Sequence, residues 1–155
     1  LLFALFSMSA FSQVKDSEAG GPPKKSELLG FWKKVELPNE EKINKSNPWP
    51  QKHQWFAFYK NGKVYSMMSD NDKSFSSKEL QEIFSNLPSK RTPDYSLDGQ
   101  LLTIDNKDIE GYHELWGVNL FAIDINDDIK KGDLIMSLDD GDGNVIYYRL
   151  LRRVH

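Results

Sequence analysis

The chain has 155 residues, a net charge of −3 at pH 7, 39% hydrophobic and 12% aromatic residues, and no cysteine. No basic stripe gathers along it, which argues against nucleic acid as a partner, and without cysteine there is neither a disulfide nor a thiolate metal site. Beyond its first residues no apolar run approaches the roughly 20 residues that a membrane-spanning helix needs.

Residues 1–11 are almost wholly apolar, and charge begins at Lys15 and Asp16. That is the outline of the apolar region of a secretory signal peptide, and Ala10-Phe11-Ser12 fits a small-x-small cleavage site. Residues 1–12 therefore read as a signal remnant, with a mature chain beginning at Gln13 and exported to the periplasm or the medium. A short buried helix or strand is the alternative. Residues 13–26 contain Gly20-Gly21-Pro22-Pro23 and predict a flexible linker, leaving residues 27–155 as one folded domain.

The first strand is expected over residues 29–37, ended by Pro38, which cannot donate to a ladder. Residues 39–51 form a long polar connection closing on Pro48-Trp49-Pro50. Connections of that length are uncommon in compact domains and often functional. A hairpin follows, residues 53–60 and 63–68 around Asn61-Gly62, where a two-residue type I′ turn would pair Lys60 with Lys63. Phe58 then faces Tyr65 and Phe56 faces Met67, with Trp55, Ala57, Val64 and Met68 on the other side. Ser76 and Glu79 form a capping box for a helix near residues 77–87, whose Leu80, Ile83, Phe84 and Leu87 make one apolar face. Asp98-Gly99 turns a second hairpin with Tyr95, Leu97, Leu102 and Ile104 on one face. Three further strands alternate through Trp116, Val118 and Leu120, then Leu134, Met136 and Leu138, then residues 145–153.

The count is eight strands, mostly antiparallel neighbours in sequence, with one inserted helix. Eight is the number at which an up-and-down barrel closes around a packed interior or one small ligand. The predicted fold is mainly β, an eight-stranded antiparallel barrel, with a Greek-key sandwich as the alternative.

Gly30-Phe31-Trp32 on the first strand resembles the Gly-x-Trp signature of lipocalins and related calycins, and the chain is similar in outline to bacterial lipocalin-like proteins. Phe58 to Gly62, Tyr95 to Gly99 and the Tyr147-Tyr148-Arg149 close add to the likeness. The resemblance implies that Gly30 and Trp32 open the barrel, and that an Arg of the last strand, Arg149 or Arg152, covers the Trp32 ring. It also matches residues 39–51 to the lid over the barrel mouth, with Trp49 either at the lid tip or tucked against the barrel. The helix near residues 77–87 departs from the family, whose helix follows the eighth strand.

Tests for chemistry leave no catalytic residue. His53, His113 and His155 are scattered, and no His-Glu-x-x-His, nucleophile elbow, phosphate loop or dinucleotide fingerprint is present. Asp139-Asp140-Gly141-Asp142-Gly143-Asn144 lacks the Gly and Glu of a calcium loop and reads as a turn. No enzyme, metal or cofactor is expected. The remaining candidate is a small hydrophobic or amphipathic ligand in the barrel, lined by Phe56, Phe58, Tyr65, Met67, Trp116, Val118 and Tyr148 with Trp49 above. The alternative is a solid core with the outer surface acting as a protein-interaction or inhibitor module.

Overall fold

The computed structural model describes residues 16–88 and 92–155; the expected signal segment lies outside the described residues. In chain order these form α1 (Asp16–Ala19), β1 (Gly20–Gly21), α2 (Lys25–Leu28), β2 (Gly30–Val35), α3 (Glu40–Ile43), β3 (His53–Phe58), β4 (Val64–Ser69), α4 (Ser77–Ser85), β5 (Asp94–Asp98), β6 (Leu101–Asp105), β7 (His113–Phe121), β8 (Leu134–Asp139) and β9 (Val145–Val154). Strands β2 to β9 are those that alternation and turn residues predict. They make one antiparallel sheet in the order β4-β3-β2-β9-β8-β7-β6-β5. The first and last of them are neighbours, with Phe31 opposite Val154 and Val35 opposite Leu150. The sheet curls until its outer strands touch. Lys63 bridges Asp94, the Val64 N–H donates to the Pro93 carbonyl at 3.1 Å, and the Tyr95 N–H donates to the Gly62 carbonyl at 2.7 Å. The fold is therefore barrel-like, with a seam between β4 and β5 fastened at one end, where α4 is inserted.

The first hairpin corrects the expected register. Tyr59 lies opposite Lys63, and the turn is the three-residue loop Lys60-Asn61-Gly62 closed by Gly62 N–H to the Tyr59 carbonyl at 3.0 Å. Gly62 sits at φ +83°, the left-handed position that follows a type I turn in such loops. Phe58 consequently pairs with Val64 and Phe56 with Ser66. A slip of one residue exchanges the faces of a strand, so Val64, Ser66 and Met68 turn inward while Tyr65 and Met67 turn outward. The second hairpin also differs, with Leu97 opposite Leu102 and Gly99-Gln100 in the turn. That shift is two residues, and Tyr95, Leu97, Leu102 and Ile104 keep their common face.

Three apolar clusters hold the sheet. The interior one joins Trp32, Phe56, Phe58, Val64, Tyr95, Leu102, Ile104, Trp116, Val118, Met136 and Tyr147. Outside β3 and β4, α4 lays Leu80 and Phe84 on Trp55 and Ala57, with Tyr65 and Met67 packed against them. Its start is the expected capping box: the Glu79 N–H donates to Ser76 Oγ at 3.3 Å, and the Ser76 N–H to Glu79 Oε2 at 2.8 Å. Outside β8 and β9, Ile129 and Phe121 cover Ile135 and Leu150, and Tyr148 joins them.

The expected linker is partly structured. Gly20 and Gly21 pair with Phe121 and Leu120, extending β7 where β6 has ended. A Cβ on Gly20 would come within 2.2 Å of the Leu120 carbonyl oxygen, so glycine serves here for close approach rather than for flexibility. Leu28 then enters the interior cluster beside Trp32.

Candidate functional site

The inward residues of six strands meet around a cavity of about 40 Å³. β3 supplies Phe56 and Phe58, β4 supplies Val64, Ser66 and Met68, β7 Glu114, β8 Met136 and β9 Arg149. Trp49, Pro93, Ile104 and Tyr112 complete the lining. Ser66 is exposed and Trp49, Met68 and Tyr112 are half-buried, so the cavity opens on their side.

Arg149 is the chemically unusual member. Its side chain is 2% exposed, and neither Nε nor Nη2 has a hydrogen-bond partner. Aromatic faces surround its guanidinium: Trp49 at 4.4 Å, Phe56 at 4.6 Å, Trp116 at 4.8 Å and Tyr147 at 5.5 Å to the ring centroids. Such contacts attract a cation but do not use its N–H groups. Burial pulls the Arg149 pKa down, opposed by Tyr147, Glu114 and Tyr112. The Tyr147 hydroxyl is likewise buried without a hydrogen bond. Glu114 is engaged elsewhere, accepting from Trp116 Nε1 at 2.7 Å. Burial first, and then the Glu114 carboxylate, push the Tyr112 hydroxyl up to about 12, so it stays protonated through neutral pH.

The roof comes from residues 44–52. Asn44 pins one end of it to β9, donating Nδ2 to the Tyr148 carbonyl at 2.8 Å and accepting the Tyr148 N–H on Oδ1 at 2.7 Å. From there the chain reaches Trp49 between its two prolines, and the ring packs on Trp116 and Tyr147 at 5.7 and 5.2 Å. Trp49 thus lies over the interior and lines the cavity.

Of the predicted lining residues, Phe56, Phe58, Trp116 and Val118 face the interior, and Trp49 covers it. Tyr65 and Met67 do not, because of the hairpin register, and Tyr148 does not, because odd-numbered residues of β9 point inward. The Trp32 expectation holds with a different arginine. Arg153 lies 4.3 Å from the Trp32 ring, donates from Nη1 to the Leu29 carbonyl at 2.6 Å, and bonds the Glu27 carbonyl. Gly30, at φ +113°, leaves room for it, since a Cβ there would meet Arg153 Nη1 at 3.0 Å. Arg152 faces outward instead and grips Asp133 with two bonds of 2.9 and 2.6 Å. Arg149 was named only as a cover for Trp32, and Val64, Ser66, Met68, Pro93, Ile104, Tyr112, Glu114 and Met136 line the cavity without being among the predicted ligand contacts. Arg149 had a signal, since it shares alternation with Tyr147 and Leu151.

Among the described residues no group of three or more His, Asp or Glu side chains is placed to hold a metal ion. The Asp139–Asn144 turn uses its carboxylates on itself, with Asp139 Oδ1 accepting from Gly141 N–H at 2.7 Å and Asp140 Oδ1 from Asn144 N–H at 3.1 Å. Among the described residues no helix is long and apolar enough to cross a membrane. Set against family models, curated proteins and solved structures, the chain matches none.

Proposed function

We propose that this chain is an exported, lipocalin-like binding protein that holds a small amphipathic molecule inside its curled sheet, entering beside Trp49. The observation that carries the reading is the cavity: an apolar, aromatic interior with a few polar groups, opening where a loop residue rather than a strand covers it. The Gly30-Phe31-Trp32 opening, the stacked Arg153 and the eight-strand order support the lipocalin likeness. The cavity holds only a ligand head, so a larger molecule displaces the Trp49 ring or runs out past Ser66. Native mass spectrometry of the protein purified gently from its own host tests this. A mass adduct released by denaturation is expected. A bare mass that persists after incubation with fatty acids, isoprenoids and haem overturns it.

One observation favours a second reading. Part of the outer face of β6, β7 and β8 carries a groove lined by Leu101, Leu115, Asn119 and Val145. Leu101 and Val145 stand exposed there. If the bare mass is found, that face makes the chain a protein-interaction module.

A further inference from the structure

We infer that the interior cavity is an anion site, and that Arg149 binds the carboxylate head of the ligand; this rests on the interior-binding reading above. A guanidinium presents two parallel N–H donors on one edge, a fork that matches the two oxygens of a carboxylate. In Arg149 that edge, Nε and Nη2, is buried and empty-handed. Among the described residues no carboxylate comes within 4 Å of it, although the arginine is wholly enclosed. Buried charges in folded chains are otherwise paired, because leaving water costs far more than aromatic faces return.

The surroundings keep the edge free. Glu114 is the nearest carboxylate that acts on Arg149, and it lines the same cavity, yet the Trp116 indole N–H holds its Oε2 at 2.7 Å. The rings of Trp49, Phe56 and Trp116 pack against the guanidinium without offering an oxygen to its hydrogens. The unsatisfied Tyr147 hydroxyl supplies a further donor. The cavity of about 40 Å³ has room for about three water-sized groups, the heavy-atom count of a carboxylate. An alkyl tail leaves it between Met68 and Pro93 towards exposed Ser66, at the open part of the β4–β5 seam. The ligand class is therefore a monocarboxylate with an aliphatic or isoprenoid tail, held head-inward.

The test titrates the full chain with sodium hexanoate and with 1-hexanol, by calorimetry and by indole emission, since Trp49 and Trp116 both touch Arg149. Wild type should bind hexanoate at least tenfold more tightly than hexanol. Arg149→Met should bring hexanoate down to the hexanol level. Arg149→Lys keeps the charge and loses the fork, and should weaken hexanoate severalfold; it carries the test if the Met variant does not fold. Equal binding of both probes, unmoved by either substitution, overturns the anion site and leaves interior binding standing. No binding of either probe at millimolar concentration overturns both.

Discussion

Replacing Trp32 by alanine strikes the joint between the first and last strands of the sheet. The ring is fully buried, its Nε1 donates to the Leu28 carbonyl at 2.8 Å, and Arg153 stacks on it from β9. Truncating a buried tryptophan costs about 3–5 kcal/mol in lost transfer energy and cavity. The cation–π share of that is about 0.5–2 kcal/mol. Urea unfolding of Trp32→Ala at pH 7 should therefore show a loss of about 3–5 kcal/mol with the slope against urea unchanged. A double-mutant cycle with Arg153→Met separates the stacking share, which should appear as a coupling of about 0.5–2 kcal/mol. A loss below about 1 kcal/mol, or no coupling to Arg153, would refute the claim that this ring and this arginine close the end of the sheet.

Arg149→Met should leave the ligand-free protein as stable as wild type or stabilise it by about 1–4 kcal/mol, because it removes an uncompensated buried charge; thermal unfolding showing a clear loss would contradict that. Gly20→Ala should release the N-terminal segment from β7, read as faster amide exchange at Ala122, whose N–H donates to the Ala19 carbonyl at 2.9 Å, since the new methyl group strikes the Leu120 carbonyl. Ser76 holds the Glu79 carboxyl below its ordinary value, through its backbone N–H first and its hydroxyl second. The depressed pKa means that this capping contribution is present above about pH 4.5 and is lost as the pH falls through the folded-state value. Glu79→Gln should flatten the acid dependence of helix exchange, and an unchanged profile would count against the cap. Tyr112 should ionise near 12 in an absorbance titration. Glu114→Gln should lower that value yet leave it above 10, because burial is the larger cause. An unmoved value would remove Glu114 from its surroundings.

Local rules made most of the fold readable. Alternation located eight strands, and Ser76 with Glu79 located the helix start, because those signals lie within a few residues of what they specify. Asn61-Gly62 was ambiguous for a physical reason: the pair suits both a two-residue turn and the last positions of a three-residue loop. The one-residue difference sent Tyr65 and Met67 beneath α4 and brought Ser66 and Met68 to the cavity. Choosing the arginine that covers Trp32 required the β2–β9 register, a long-range pairing with no local signal. Arg149 lies four residues from Arg153, about 13 Å along an extended strand, and therefore in a different environment. The two glycines of the N-terminal segment showed composition misleading in the other direction, since a missing Cβ also permits tight packing.

The pairing of Phe31 with Val154 also orders events as the protein folds. Strands β5 to β9 are consecutive hairpins and can zip from local contacts. By contrast, β2 meets its second neighbour, β9, only across most of the described chain. Until Arg153 arrives, Trp32 has no cover and β2 keeps a bare hydrogen-bonding edge. Closure across so long a loop is slow, and it makes β9 a checkpoint. A chain without β9 leaves both β2 and β8 short of a partner, and with it loses the interior that the other strands had begun to enclose.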